Sequence, residues 1–247
     1  MAYQRVYGGG GGGRPGGPMN FFGPMTPTVM ALLLVNVFMF MVTFFGRGLL
    51  GWLALIPSAV FPGAQVWRLG TYMFLHADFA HILFNMLVLW WFGSPLEQVF
   101  GRSRFLWFYF VTGVGAGVVC VPFYIVAGAS HIPIVGASGA LFGILMAFAL
   151  LYPNARVFLW FVLPIKVKYL VIAFVVLEYM ATVSYLGGDS RSNVASVAHL
   201  SGMLIAYFYL RGLMDIRAGL RRLRSGRSRR RKFEVIRDDE DRGPWLH

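Results

Sequence analysis

Two residues in this chain have the types needed for nucleophilic chemistry at a carbonyl, and both sit where lipid-like surroundings would make a polar group costly. Ser138 lies within Gly136-Ala137-Ser138-Gly139-Ala140-Leu141-Phe142-Gly143, and His199 lies six residues into the last apolar run, which begins at about Asn193. Six residues of helix correspond to about 9 Å. A serine hydroxyl is a poor nucleophile until a neighbouring base takes its proton, and a neutral imidazole can be that base. His81 and Asn85 stand four apart, so a helix places them on one face. Both can donate hydrogen bonds to the oxyanion of a tetrahedral intermediate, where donors count for more in a low-dielectric site than in water. The backbone N–H of Ser138 is a third candidate donor, because the first N–H groups of a helix lack an intrahelical acceptor.

No acidic residue is expected beside His199. Glu97 falls at the inner end of the second apolar run and Asp189 in an outer loop, so the pattern predicts a Ser-His dyad rather than a triad. Glu178, inside the fifth run, receives no role; if ionised it requires an interior polar partner, and otherwise it is neutral. Each feature alone has an ordinary structural use. Gly139 with Gly143, and Gly113 with Gly117, are small-xxx-small pairs that let helices pack closely, and a single serine or histidine in a span is commonly an interhelical hydrogen bond. What sets these residues apart is their combination at one depth.

The elements that must carry them are apolar runs of membrane-spanning length. Hydrophobic residues make up 57% of the 247, and charged residues only 13%, about half the share usual in soluble domains. A hydrocarbon core about 30 Å thick needs roughly 20 apolar residues per helix. The spans are predicted at Thr28–Phe45, Phe79–Glu97, Phe105–Ala127, Gly136–Tyr152, Val167–Leu186 and Asn193–Leu213. The stretch from Gly46 to Leu75 is broken by Pro57, Pro62 and glycines and reads as a loop partly sunk in the interface. Val157 to Leu163 is apolar but cut short by Pro164 and Lys166, and reads as an interfacial or re-entrant piece. The result is an all-α integral membrane protein. It comprises a Gly-rich tail over 1–27, expected to be disordered, a six-span domain over 28–213, and a basic then acidic tail over 214–247.

The net charge of +12 raises nucleic acid as a partner, but 12 of the 22 basic residues lie beyond Leu210, next to the last span. Such a block, including Arg221, Arg222, Arg224 and Arg229 to Arg231, is attracted to anionic lipid and fixes the C-terminus on the cytoplasmic side. Alternation from there places 19 of the 22 basic residues inside, leaving Arg47, Arg68 and Arg191 outside. Both termini are then cytoplasmic, and the second, fourth and sixth spans begin at the outer face. The N-terminal residues lack the apolar core and cleavage site of a secretory signal, which favours a bacterial inner membrane over an organelle. The single Cys120 has no partner for a disulfide, His76 and His131 fall at the outer interface, and no cluster has metal-ligand spacing, so no metal or cofactor is expected.

At these residues the sequence resembles the rhomboid family of intramembrane serine proteases, from about Val29 to Leu213. Trp67-Arg68 looks like the family's first-loop pair, His81-Ile82-Leu83-Phe84-Asn85 like its second-span oxyanion motif, and Gly93 with Glu97 like its Gly-x-x-x-Glu. Gly136-Ala137-Ser138-Gly139 resembles its nucleophile motif, and Ala198-His199 with Gly202 its histidine motif. The resemblance implies a six-transmembrane-helix bundle in which Ser138 attacks, His199 acts as base and then acid, and His81 and Asn85 hold the oxyanion. The substrates it implies are membrane proteins cut in or near their spans, with the fifth span and first loop as gates. Phe142 stands where some members have a tyrosine stacked on the histidine, and Ala195 and Ala206 replace frequent glycines, which keeps those positions small. Two competing readings carry less. A rhomboid-like binder without activity would not need both Ser138 and His199, and a transporter would be expected to show internal repeats.

Overall fold

The computed structural model describes residues 23–46, 48–159, 163–188 and 195–229, the last stretch with side chains as far as residue 212. The Gly-rich N-terminal tail, Arg47, Asp189, Arg191, Asn193 and the end of the C-terminal tail lie outside the described residues. The chain forms two units, Met1–Phe208 and Tyr209–His247. Every candidate residue named above belongs to the first.

Among the described residues four helices are long and apolar enough to cross a membrane: Pro27–Phe45, Phe79–Phe100, Arg102–Val126 and Val167–Leu186. The first, α1 (Pro27–Phe45), starts with Pro at a position where its missing N–H costs nothing. The first loop holds three short helices, α2 (Gly48–Leu53), α3 (Pro57–Val60) and α4 (Arg68–Thr71), followed by a 3-10 turn at Tyr72–Phe74. The second long helix is continuous but not uniform. It comprises α5 (Phe79–Val88), a π-helical segment Leu89–Gly93 and α6 (Ser94–Phe100).

After α7 (Arg102–Val126) comes α8 (Ser138–Leu151), an apolar helix of 14 residues. That length is about 21 Å, short of a full hydrocarbon core. Ten of its residues are buried, so it is enclosed on all sides, packing chiefly on α7. By contrast α9 (Val167–Leu186) buries only Val167 and Val171 and lies at the periphery. The last helix, α10, runs from Ser196 to Arg229.

The segment between α8 and α9 forms two antiparallel strands, β1 (Arg156–Leu159) and β2 (Leu163–Lys166), with Arg156 opposite Lys166. It is thus a hairpin and not a span, with Phe158 and Leu163 exposed.

Candidate functional site

Local capping positions the first two candidate residues. Asp78 caps α5, its carboxylate accepting the His81 backbone N–H at 2.8 Å, which fixes His81 at the first turn and Asn85 one turn on. The ring Nδ1 of His81 accepts a long bond from the Ala77 N–H at 3.4 Å, leaving the ring proton on Nε2. Beside it His76 packs edge-on, its ring 5.0 Å from that of His81. Burial, and then the neighbouring His81, push the His76 pKa down to about 3 against the opposing pull of Asp78, so His76 contributes bulk and no charge.

The approach to α8 is held by the first loop. Leu55 and Ile134 exchange backbone hydrogen bonds, and the Gly136 N–H donates to the Tyr72 carbonyl at 2.9 Å. The loop itself is pinned by Arg68, whose guanidinium donates to the carbonyls of Ala54 (2.6 Å) and Gly51 (2.8 Å) and to Gln65 Oε1 (2.6 Å). Gly136 has φ +124, and a Cβ there would come 2.8 Å from His81 Nε2. Only glycine brings the chain past His81 and into Ser138 in this conformation.

Ser138 opens α8, and its facing helix α10 carries His199. The two helices meet nearly backbone to backbone, since a Cβ on Gly202 would collide with the carbonyl of Gly139. That proximity allows a short reach between side chains. His199 Nε2 lies 2.7 Å from Ser138 Oγ, both residues being buried. Phe142, one turn after Ser138, stacks on the imidazole at 4.2 Å and 12°, retaining the aromatic contact expected of that position.

Ser138, His199, His81 and Asn85 all line one cavity of about 380 Å³, closed further by Ala77, Pro133, Ile134, Val135, Phe142 and Ala195. The structure thus brings together all four residues singled out from the sequence. Asn85 Nδ2 is buried with no hydrogen-bond partner, a donor waiting for an acceptor.

One expectation is corrected. An acidic side chain does stand beside His199: Glu178 Oε1 lies 2.9 Å from His199 Nδ1. Counting back from the C-terminal end of α9 would have found it. Leu186 is eight residues away, about 12 Å of helix, close to the depth of about 9 Å read for His199. Glu97, in turn, belongs to another part of the fold. Its carboxylate accepts from the Thr26 hydroxyl and from the N–H groups of Thr28 (3.2 Å) and Val29 (3.0 Å), capping α1. Asn36 and Thr43, polar residues of the first span that the sequence reading passed over, are buried and donate to carbonyls one turn back in α1.

Residues 63–215 match the family model described as Rhomboid domain. The chain is 33% identical over 153 residues to Rhomboid protease GluP of Bacillus subtilis (strain 168), covering 62% of this chain and 27% of that protein. It is 31% identical over 140 residues to Putative rhomboid protease YdcA of the same organism, covering 56% of this chain and 62% of the relative. To Rhomboid protease GlpG of Yersinia pestis (strain Pestoides F) it is 33% identical over 95 residues, 38% of this chain and 34% of that one. In each case the chain spans less than two thirds of the relative's length.

Proposed function

Because the chain belongs to the rhomboid family, we propose that it is a serine endopeptidase that hydrolyses peptide bonds in or near the transmembrane segments of other membrane proteins. The family and the apolar helices make it a multi-pass membrane protein. The observation that carries the catalytic reading is the 2.7 Å contact between Ser138 Oγ and His199 Nε2, inside a cavity that also presents the unpartnered Nδ2 of Asn85.

The steps follow from that geometry. As Ser138 Oγ bonds to the scissile carbonyl carbon, its proton passes to His199 Nε2, and the carbonyl oxygen becomes an oxyanion. Asn85 Nδ2, His81 Nε2 and the Ser138 N–H are the donors available to it. His199 then gives the proton to the leaving amine, and a water activated by the same imidazole releases the acyl group from Ser138. Phe142, flat against the ring, limits its rotation during both transfers. A helical peptide bond is shielded and hydrogen-bonded, so a substrate segment must unwind before it can enter.

In the membrane we read six spans, α8 and α10 joining the four long helices, with both termini cytoplasmic. The Gly-rich tail over 1–27 and the basic then acidic tail over 214–247 flank the six-span domain, the latter facing anionic lipid.

The test is cleavage of a single-span model substrate by the protein in detergent or liposomes. Ser138→Ala and His199→Ala are each expected to reduce cleavage to background. Activity surviving Ser138→Ala would reject the assigned nucleophile, and an inactive wild type across varied substrates would favour a binding role.

A further inference from the structure

Span five touches the site through one stripe. Phe174, Glu178 and Thr182 recur every four residues of α9 and so share a face. Phe174 meets Phe142 edge-on at 5.5 Å, Glu178 meets His199 at 2.9 Å, and the Thr182 hydroxyl lies 2.9 Å from Ser196 Oγ. Elsewhere the helix buries little, so this stripe concentrates its purpose on the imidazole and its stacking partner.

The Glu178 carboxylate approaches Nδ1, the ring nitrogen away from Ser138, without the alignment of an N–H···O hydrogen bond. It is a charge contact, and the Glu178 side chain is only 15% exposed. A carboxylate in that place favours the tautomer with its proton on Nδ1, leaving Nε2 to accept from Ser138. Among the described residues, His81, with Asp78 behind it, is the other titratable side chain that lines the cavity, coming from α5.

We infer that Glu178 is a positioning residue for His199, holding the ring so that its Nε2 faces Ser138; this rests on the protease reading above. The proton taken from Ser138 stays on the imidazole and does not pass to Glu178.

A fluorophosphonate probe reads this without needing the natural substrate. Ser138 Oγ bonds to phosphorus as fluoride leaves, with His199 taking the proton. The labelling rate is measured for the full chain in micelles, as wild type, Glu178→Gln and Glu178→Asp. Removing the charge that orients the ring is expected to lower the rate about tenfold or more. Asp keeps the charge and is expected to recover most of the wild-type rate.

A Gln variant that labels at the wild-type rate overturns the inference. So does an equal loss in Gln and Asp, which is what packing alone would give. Failure of the wild type to label, or labelling that persists in Ser138→Ala, would sink the protease reading itself and the inference with it.

Discussion

Asn85 shows how a single side chain can announce an absent ligand. Its Nδ2 faces the cavity with no acceptor, a state that costs about 1–3 kcal/mol for a buried amide and, on the proposed mechanism, is relieved when the oxyanion forms. The benefit therefore falls in the transition state, and Asn85→Ala is expected to lower kcat by roughly a hundredfold or more while KM changes little. Steady-state cleavage of a model substrate separates the two; a loss confined to KM would make Asn85 a ground-state contact. That this residue shares a cavity with His81, Ser138 and His199 was legible in the sequence, because a polar group in an apolar run is conspicuous and helical spacing sets its face. Glu178 was just as conspicuous. Its depth can be counted from the end of its run, but depth alone does not say which side chain it faces; the contacts of Thr182 with Ser196 and of Phe174 with Phe142 settle that.

At the scale of elements, the long helices end within about three residues of where apolar runs and breakers place them, save α10, which runs on to Arg229. What the sequence could not reveal were the pieces too short to show a period. These are the four- to six-residue helices of the first loop, and the strands β1 and β2 in a segment read only as interfacial. Their form depends on distant partners, such as the Arg68 guanidinium bridging Gly51 and Ala54. Glu97 is the same kind of device at a helix end. It ties the start of α1 to the end of the second long helix through three donors, two of them backbone N–H groups that the helix itself leaves unsatisfied. Glu97→Ala orphans all three and is expected to cost about 2–4 kcal/mol. Glu97→Gln, which keeps acceptor oxygen but not the charge, is expected to cost less. Thermal unfolding in detergent ranks them, and an Ala variant as stable as wild type would show that the cap is not needed.

For the whole molecule, the short central helix is what connects fold to chemistry. If α8 reaches the inner boundary at Leu151, its 21 Å or so leave its outer end roughly 9 Å below the opposite boundary of a 30 Å core. Ser138 would then sit within the membrane thickness, on the cavity it shares with His199. That placement holds only if α8 crosses, and crossing has a parity consequence. The turn after α7 and the hairpin after α8 must then face opposite sides, with Arg156, Lys166 and Lys168 on the cytoplasmic side as positive charges prefer. His131 and Asn154 are exposed on these two connections, and Cys120, the one native cysteine, is buried. In intact cells a membrane-impermeant maleimide is expected to label His131→Cys and to miss Asn154→Cys until the membrane is opened. Labelling of both from outside would leave α8 on one side of the bilayer, reverse every later element, and overturn the six-span arrangement proposed above.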